Sequence, residues 1–442
     1  MSYWCELAWL GGDRPEEGVV IDVSGDRIAS IMTGVESPPG DAEHLRGLTL
    51  PGLANAHSHA FHRALRGRAE RGRGSFWTWR EQMYELAARL DLDNYFDLAR
   101  ATFAEMALAG VTVVGEFHYL HHRAGGEPYD DPNAMGHVIL QAAAEAGVRV
   151  TLLDACYLLG GIGQEPDGVQ ERFSDGSVEA WRRRVEAIPQ SEAAKVGAAI
   201  HSVRAVDPDS ARVVATWAAE HSRPLHAHVS EQPSENEDSI EAYGVTPTEL
   251  LDREGALGKR FTAVHATHVT EPDVRLLGDR RACCCLCPTT ERDLADGVGP
   301  ARMLAELGAS LSLGSDSHAV IDIFEEARAV ELDERLVTGA RGHHTAAELL
   351  RAATESGYRC LGWPDGGRIE EEALADLVTV GLDSVRLAGA TPAEALEAVV
   401  FAGAAADVRH VIMGGRRIVW DGAHLALDVA NELRHSIAAV TA

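Results

Sequence analysis

Short apolar segments rich in β-branched residues alternate along this chain with longer segments rich in Ala, Glu and Arg. In the longer segments, such as 94–109, 134–146 and 210–221, apolar residues recur every three or four positions, which is typical of an amphipathic helix. The alternation predicts successive β-α units and therefore a parallel sheet with helices on its outside.

Eight strand candidates can be counted. They are residues 49–57, 111–118, 148–156, 196–201, 225–229, 262–268, 282–287 and 310–315. Eight β-α units in sequence predict an α/β fold of the (β/α)8 type, a TIM-like barrel.

The two ends of the chain do not follow the barrel pattern. Residues 1–48 predict short strands with a turn at 24–26, and residues 375–380 and 408–420 predict more strands, with a hairpin turn at Gly414-Gly415. We therefore expect a small β-sandwich built from both termini, with parts at 1–50 and 371–442, and the barrel at 51–370 between them.

Composition and charge restrict the class of protein. The 442 residues, 45% of them hydrophobic, suffice for a large core. The chain has 40 Lys and Arg against 68 Asp and Glu, and its net charge of -28 disfavours nucleic acid and anionic membranes as partners. The first ten residues lack the basic and apolar regions of a signal peptide, and no long apolar run follows, so we expect a cytoplasmic protein.

Seven cysteines are present, and four of them, Cys283, Cys284, Cys285 and Cys287, are neighbours. An odd number favours reduced thiols over a disulfide framework. Adjacent residues of a strand point to opposite faces, and no two spaced C-x2-C pairs provide a closed tetrahedral zinc cage. The cluster therefore predicts a buried strand of small, apolar thiols.

Histidines and carboxylates stand at the ends of several predicted strands. His57 and His59 end the first, and positions i and i+2 of a strand share a face, so both imidazoles can reach one metal ion. His228 and Glu231 close the fifth strand, His265 the sixth and Asp316 the eighth. Each alone is explained by a structural histidine or a helix N-cap, but the set at one end of the barrel predicts an active site.

The predicted metal ligands are His57, His59, His228 and Asp316, a nitrogen and oxygen set that suits zinc with one open position, with iron or manganese as alternatives. Such a zinc ion lowers the pKa of bound water towards neutrality. His265 and Glu231 remain free to transfer protons, and Asp316 can also orient the water.

A single ion per chain is predicted. A bridged pair of ions in such barrels often uses a modified lysine, and the only lysines, Lys195 and Lys259, stand at the wrong ends of their strands. Glu116, at the end of the second strand, is a candidate ligand for a second ion, although a structural role is the favoured interpretation.

The motifs P-G-x-x-N-x-H-S-H, H-x-H-x-x-E and G-S-D-S-H, with the histidine of strand six, resemble the deaminase branch of the amidohydrolase superfamily. Longer segments at 57–63, 75–84, 114–122 and 200–206, among them S-F-W-T-W-R and E-F-H-Y-L-H-H, resemble the formimidoylglutamate deiminases of that branch. The resemblance extends from about residue 50 to about residue 335.

This resemblance implies a zinc-dependent hydrolysis of N-formimino-L-glutamate to N-formyl-L-glutamate and ammonia, in histidine degradation, by a barrel with an attached β-sandwich. It implies the same metal ligands as above and proton transfer by Glu231 and His265. The residues it assigns to substrate binding are Arg80, Tyr119, His201 and Arg204. Arginine binds carboxylates through two parallel hydrogen bonds, which suits a glutamate derivative.

One residue departs from the family pattern, which has glutamine where this chain has His62. His62 is counted among the substrate-binding residues, and its imidazole lacks the paired donor and acceptor of an amide. The enzyme therefore either binds the same substrate with altered affinity or acts on another formimino or guanidino acid.

A deaminase of a purine, pterin or other heterocycle would use the same metal chemistry. A non-catalytic barrel would be expected to lack a ligand or proton-transfer group, and none is missing from the sequence. We expect a small-molecule substrate and a homodimer.

Overall fold

The first strands of the chain form part of a sheet that is separate from the barrel. The computed structural model describes residues 1–69 and 73–442. Its first four strands are β1 (Ser2–Ala8), β2 (Glu16–Ser24), β3 (Arg27–Met32) and β4 (Glu43–Pro51). β1 pairs antiparallel with β2 and parallel with β4, and β2 pairs antiparallel with β3. The β2-β3 turn falls at the predicted position and includes Gly25, whose φ of 63° is left-handed and favours glycine.

Eight parallel strands follow and form the barrel. They are β5 (Leu53–Ser58), β6 (Val111–His118), β7 (Arg149–Cys156), β8 (Ala194–Ile200), β9 (Leu225–Val229), β10 (Phe261–His265), β11 (Cys283–Leu286) and β12 (Ser310–Leu313), and consecutive strands are neighbours. Almost every residue of these strands is buried, as expected where helices cover a parallel sheet. The thiols of β11 are buried as predicted.

The strand predicted at 49–57 is in fact two strands that belong to different sheets, β4 and β5, divided at Gly52. The backbone N–H of Gly52 donates to the Asp376 carbonyl, next to the Pro51 and Leu377 pair of the first sheet, whereas the N–H of Leu53 donates to the Gly110 carbonyl, where the barrel pairing begins. A Cβ at position 52 would lie 2.1 Å from Thr112 Oγ1, so only glycine fits where the chain crosses from one sheet to the other.

Strands from the other end of the chain complete the first sheet. They are β13 (Leu377–Val380), β14 (Val408–Met413), β15 (Arg416–Trp420) and β16 (Ala423–His424). The order of the eight strands is β16-β15-β14-β13-β4-β1-β2-β3, so the two ends of the chain meet where β13 pairs with β4. The prediction of a barrel with a second β domain from both termini is confirmed, and the strands of that domain pair in one sheet.

Helices lie between and beyond the strands. They are α1 (Phe76–Ala87), α2 (Leu92–Leu108), α3 (Ala134–Ala146), α4 (Val178–Glu186), α5 (Pro208–Glu220), α6 (Pro233–Tyr243), α7 (Pro247–Arg253), α8 (Glu271–Asp279), α9 (Pro288–Asp293), α10 (Ala301–Glu306), α11 (Ile323–Thr338), α12 (Ala346–Arg351), α13 (Gly357–Cys360), α14 (Ala395–Ala402) and α15 (Val429–Thr441). A π-helical turn, Ala352–Ser356, joins α12 to α13. Short 3-10 helices cover Ala60–Leu65, Gly168–Arg172, Pro392–Glu394 and Ala405–Asp407. Within 1–69 and 73–442, none of these helices is both long and apolar enough to span a membrane.

The barrel closes between its first and last strands. Ser58 and Asp316 form a parallel bridge, in which the Asp316 N–H donates to the His57 carbonyl over 3.0 Å. The Asn55 side chain accepts from the Ser315 N–H at 2.9 Å and donates to Ser315 Oγ at 2.7 Å. A Cβ at Gly314 would lie 2.7 Å from the Cβ of His57, so glycine permits this close approach.

A buried ion pair joins the barrel to the second sheet. Arg149, at the start of β7, donates from Nε to Asp376 Oδ2 at 2.8 Å, and its side chain is 3% exposed against 0% for Asp376. The carboxylate also accepts from Tyr358 Oη at 2.8 Å and from the Gly414 N–H at 2.6 Å. A buried carboxylate is tolerated when its charge is paired and its lone pairs are occupied in this way.

Replacing Arg149 with Met should therefore leave the Asp376 charge buried without a cation. We expect the free energy of unfolding to fall by about 3–5 kcal/mol in urea denaturation followed by circular dichroism. As a control, Arg275→Met removes an exposed ion pair with Glu271 and should cost no more than about 0.5 kcal/mol. Equal losses from the two variants would contradict a dominant role for the buried pair.

Candidate active site

A cavity opens at the C-terminal ends of the barrel strands, where enzymes of this architecture hold their substrates. Its empty space, including the part open to solvent, is about 560 Å³. It is lined by His59, His62, Phe76, Trp79, Arg80, Met83, Tyr84, Tyr119, Tyr157, Phe173, His201, Arg204, His228, Glu231, His265, Leu294 and Asp316. Every residue that the sequence predicted for the site is in this set except His57, which is fully buried and contacts Asp316 and His228.

Two histidines of β5 and its extension converge on one carboxylate oxygen. Nε2 of His57 lies 3.3 Å from Asp316 Oδ1, and Nε2 of His59 lies 3.4 Å from the same oxygen. The closure of the barrel explains this, because Asp316 bridges to Ser58, the residue between the two histidines. The ligand atoms of these three residues lie within 4.8 Å of one another, as a shared metal ion requires.

His228, near the end of β9, joins the cluster from the other side. Its Nε2 lies 3.1 Å from the Nε2 of His57. His57, His228 and His265 form a second group whose ligand atoms lie within 4.8 Å, so His265 is a fifth donor within reach. The sequence predicted the other four residues as ligands and assigned His265 to proton transfer, and the structure places its ring beside them.

The donor set fits a divalent metal such as zinc. The Nδ1 atoms of His59 and His228 lie 2.9 Å from the carbonyls of Phe117 and His201, which fixes each ring with Nε2 facing the cluster. Burial lowers the pKa of His59 to about 3 and holds that of His228 well below its usual value, so the Nε2 lone pairs are available. Zinc is bound in proteins by nitrogen and oxygen ligands that face a common point in this way.

Two groups beside this cluster are suited to proton transfer. Nε2 of His265 lies 3.7 Å from Glu231 Oε1 and 3.9 Å from Asp316 Oδ2, and its Nδ1 lies 3.6 Å from Glu291 Oε1. Burial lowers the pKa of His265, but these carboxylates outweigh burial and raise the pKa well above its usual value. Burial raises the pKa of Glu231, which favours the protonated form of its carboxyl, as a group that accepts and returns a proton requires.

The backbone at the mouth of the barrel is strained. Ser230, His265, Ala266, Asp316 and His318 all have left-handed φ values between 41° and 68°, which cost free energy for residues with a Cβ. Such conformations persist where surrounding contacts enforce them and concentrate at functional sites. Here they turn the chain sharply at the ends of β9, β10 and β12, so that side chains face the cavity.

The histidine that departs from the family pattern is bonded to a predicted substrate-binding tyrosine. His62 Nε2 and Tyr119 Oη are 2.9 Å apart, and both side chains are buried. Burial lowers the pKa of His62 well below its usual value, which makes the ring neutral. Its Nδ1 is buried without a hydrogen-bond partner in the part of the chain that the structure describes. The ring therefore offers one unused polar atom.

Two arginines supply positive charge to the cavity wall. Arg80, on α1, stacks over Trp77 and Tyr84 with its Cζ 5.5 and 5.0 Å from the ring centroids. Arg204, after β8, lies with Nε 3.7 Å from Glu235 Oε2, and neither atom has a hydrogen-bond partner among residues 1–69 and 73–442. His201, the remaining predicted substrate-binding residue, has its ring 4.7 Å from Tyr157.

Glu116 has contacts that suit the structural role favoured for it. Its Oε2 accepts from Ser58 Oγ at 2.6 Å and its Oε1 from the Ala60 N–H at 2.7 Å, so donors of the chain occupy both oxygens. Glu116 thereby supports the segment that carries His57 and His59.

A second histidine and aspartate group lies outside the cavity. It consists of His118, His121 and Asp154. Both oxygens of Asp154 accept from Arg184, at 2.7 and 2.8 Å, so a guanidinium already neutralises the only carboxylate of the group. This arrangement disfavours a cation there.

Sequence reasoning did not find two residues of the cavity wall, Tyr157 and Phe173, nor two that contact residues of the wall, Glu291 and Gln170. Tyr157 directly follows β7, so its place at a strand end was an available signal. Glu291 is four residues beyond Cys287 and accepts its N–H at 2.9 Å. Phe173 and Gln170 reach the site from a 3-10 helix in a loop, where no periodic pattern marks them.

Comparisons with known proteins agree with this geometry. The sequence model of the amidohydrolase family matches residues 48–418. A crystal structure of an amidohydrolase from Brucella melitensis superposes with a TM-score of 0.90 at 34% identity, over 100% of each chain.

Relatives of known activity cover nearly the whole chain. A formimidoylglutamate deiminase of Pseudomonas aeruginosa is 36% identical over 92% of each chain. A 5-methylthioadenosine/S-adenosylhomocysteine deaminase of Natronomonas pharaonis is 28% identical over 86% of this chain and 83% of that protein. The chain therefore belongs to the amidohydrolase family and is a hydrolase of its deaminase type, acting on C–N bonds.

Proposed function

We propose that this enzyme is a zinc-dependent deiminase that hydrolyses N-formimino-L-glutamate to N-formyl-L-glutamate and ammonia, in the cytoplasmic degradation of histidine. The observation that carries the proposal is the pair Arg80 and Arg204 in the wall of a cavity whose base is a histidine and aspartate cluster. Two guanidiniums suit a substrate with two carboxylates. The relative of that name, 36% identical, supports the same choice.

One zinc ion would be held by His57, His59, His228 and Asp316. Zinc, when bound, supplies a Lewis acid and lowers the pKa of water towards neutrality. A second ion is disfavoured because donors of the chain occupy both oxygens of Glu116. The shared approach of His57 and His59 to Asp316 Oδ1, within 3.3 and 3.4 Å, supports this assignment.

Proton transfer is assigned to Glu231 and His265. Water adds through its oxygen to the formimino carbon, and the bond from that carbon to the terminal nitrogen then breaks. Glu231 takes a first proton from the water and delivers it to the terminal nitrogen. His265 moves the second proton from the resulting hydroxyl to the same nitrogen as the C=O bond forms, so that this nitrogen leaves as ammonia, while Asp316 orients the water. The separation of 3.7 Å between His265 Nε2 and Glu231 Oε1 supports a shared task.

Binding of the substrate is assigned to His62, Arg80, Tyr119, His201 and Arg204. The guanidiniums would attract the carboxylates, and the free Nδ1 of His62 would take the place of the family's glutamine beside the formimino group. The ring of Tyr119 packs against His59 at 5.2 Å, so its hydroxyl holds His62 next to the metal cluster.

The substrate is tested by measuring ammonia release from N-formimino-L-glutamate, adenosine, 5-methylthioadenosine and 8-oxoguanine. We expect turnover of the formimino acid to exceed that of each heterocycle by at least about 100-fold in kcat/KM, since a polar site left unpaired rejects an analogue strongly. Preference for a heterocycle would replace the proposal with a purine deaminase, for which the relative from Natronomonas is the precedent.

Removing the shared carboxylate should remove the metal. Asp316→Asn deletes one negative charge from the proposed ligand set, so we expect the zinc content, measured by inductively coupled plasma mass spectrometry, to fall well below about one equivalent per chain. Glu165→Gln, a surface change outside the cavity, is the control and should retain the metal. Full zinc content in Asp316→Asn would exclude this residue as a required ligand.

Removing one guanidinium should weaken substrate binding. Arg204→Met should lower kcat/KM for N-formimino-L-glutamate by about tenfold or more, as expected for lost hydrogen bonds to a charged group. The exposed Arg212→Met serves as control for general loss of positive charge. Because Arg204→Met also leaves Glu235 unpaired, its melting temperature is measured in parallel. Unchanged kcat/KM in a folded variant would argue against binding of a substrate carboxylate by Arg204.

A further inference from the structure

Cys287 brings a thiol of the cysteine cluster to the active site. Cys283, Cys285 and Cys287 are spaced by two, so the period of a strand places them on one face, and the thiol of Cys287 contacts that of Cys285. Cys287 directly follows β11, is the N-cap residue of α9, and is fully buried. Because it is the last of the three, it lies at the C-terminal mouth of the barrel.

Three different donor groups meet there. A ring nitrogen of His265, the Sγ of Cys287 and a carboxylate oxygen of Asp316 lie within 4.8 Å of one another. With bonds of about 2.0–2.3 Å at tetrahedral angles, the ligand atoms of zinc are about 3.5 Å apart, so a small movement of these side chains suffices to surround an ion. His265 and Asp316 line the cavity, which gives an ion a way in.

The two oxygens of Asp316 face different neighbours. Oδ1 lies 3.3 and 3.4 Å from the Nε2 atoms of His57 and His59, whereas Oδ2 lies 3.9 Å from Nε2 of His265. The carboxylate can therefore serve the zinc ion of the proposed function through Oδ1 and a second ion through Oδ2. Glu231 Oε1, 3.7 Å from the same Nε2, is a further oxygen within reach.

The closure of the barrel keeps the thiol in this place. A Cβ at Gly314 would lie 3.0 Å from the Sγ of Cys287 and 2.7 Å from the Cβ of His57, so glycine lets the thiol approach the proposed metal ligands. The Cys287 N–H donates to Glu291 Oε1 at 2.9 Å, and the Glu291 N–H donates to the Cys287 carbonyl at 3.0 Å. These two hydrogen bonds fix the backbone that carries the thiol.

The combination of donors selects the kind of ion. Sulfur and imidazole nitrogen suit zinc and softer divalent cations such as cadmium, whereas magnesium prefers oxygen ligands. The position does not use Glu116, both of whose oxygens are occupied by donors of the chain. It is therefore distinct from the second-ion position considered at the end of strand β6.

We propose that His265, Cys287 and Asp316 form an inhibitory site for a second, thiol-binding divalent cation, either cadmium or zinc in excess of the single catalytic ion. The hydrogens of the thiol and of the coordinating ring nitrogen leave to solvent as protons, and no group is oxidised or reduced. His265 can then no longer move a proton, and Asp316 can no longer orient the water. The inhibition rests on the proposed function, whereas the binding of the cation does not.

Cadmium tests the binding without turnover, because a thiolate bound to cadmium absorbs in the ultraviolet. Enzyme loaded with about one equivalent of zinc is titrated with cadmium chloride, and we expect an absorption band that saturates after about one further equivalent. Cys287→Ser should lose the band, since a hydroxyl is a poor ligand for a soft ion. Cys5→Ser, which removes a buried thiol of the second sheet, should retain it. No band in the wild type, or an equal band in Cys287→Ser, would overturn the proposal.

A second variant tests the site through another of its donors. His265→Asn should weaken cadmium binding, measured by the same band, by about tenfold or more, because one ligand is lost while the thiol remains. Serine is a favourable N-cap residue, so we expect Cys287→Ser to keep α9, and the melting temperatures of both variants are measured. Wild-type cadmium affinity in His265→Asn would refute the three-residue site even if Cys287→Ser did not fold.

Inhibition of ammonia release from N-formimino-L-glutamate separates this proposal from the proposed function. Cys287→Ser should need at least about tenfold more added zinc than the wild type for equal inhibition, with kcat and KM before the addition within about threefold of wild type. Magnesium should inhibit neither enzyme. Cadmium binding through Cys287 in a wild type that releases no ammonia would refute the deiminase and support the cation site. An active wild type that zinc inhibits no more readily than Cys287→Ser would do the opposite.

Discussion

The closure of the barrel between its first and eighth strands is the constraint on which the rest of the site depends. The Ser58 and Asp316 bridge puts the carboxylate next to the residues on either side of Ser58, His57 and His59. The closure needs glycine at position 314, because a Cβ there would meet His57. The cluster of imidazoles and carboxylate is thus a consequence of how the sheet closes, and it is supported from below by Glu116.

Around that cluster, the protein controls which polar atoms remain unused. Backbone carbonyls occupy Nδ1 of His59 and His228, so their Nε2 atoms face the cluster. Specificity there comes from the partner on the far side of each ring, since a group with one free position can bind in only one sense.

Sequence reasoning found the parts of the site that follow from strand geometry. Five of its residues stand at strand ends: His57, His59, His228, His265 and Asp316. Such residues can be predicted because barrel enzymes hold their active sites at these ends and because positions i and i+2 of a strand share a face. Sequence reasoning predicted one strand at 49–57, because Gly52 does not interrupt the apolar pattern of this segment. The division into two strands at Gly52 is visible only from its contact with Thr112. Residues brought in by irregular loops, such as Gln170, and the pairing of His62 with Tyr119 depend on tertiary contacts that no local pattern encodes.

The sheet assembled from both ends of the chain affects how the protein folds during synthesis. β4 has its place between β1 and β13, yet β13 begins 326 residues after β4 ends. At about 5–20 residues per second, the ribosome needs tens of seconds to supply that partner. During this delay β4 presents an unpaired edge of apolar residues, Leu48 and Leu50 among them, that another nascent chain can pair with. The chaperone demand of the newly made chain should therefore be greatest before residue 377 leaves the ribosome.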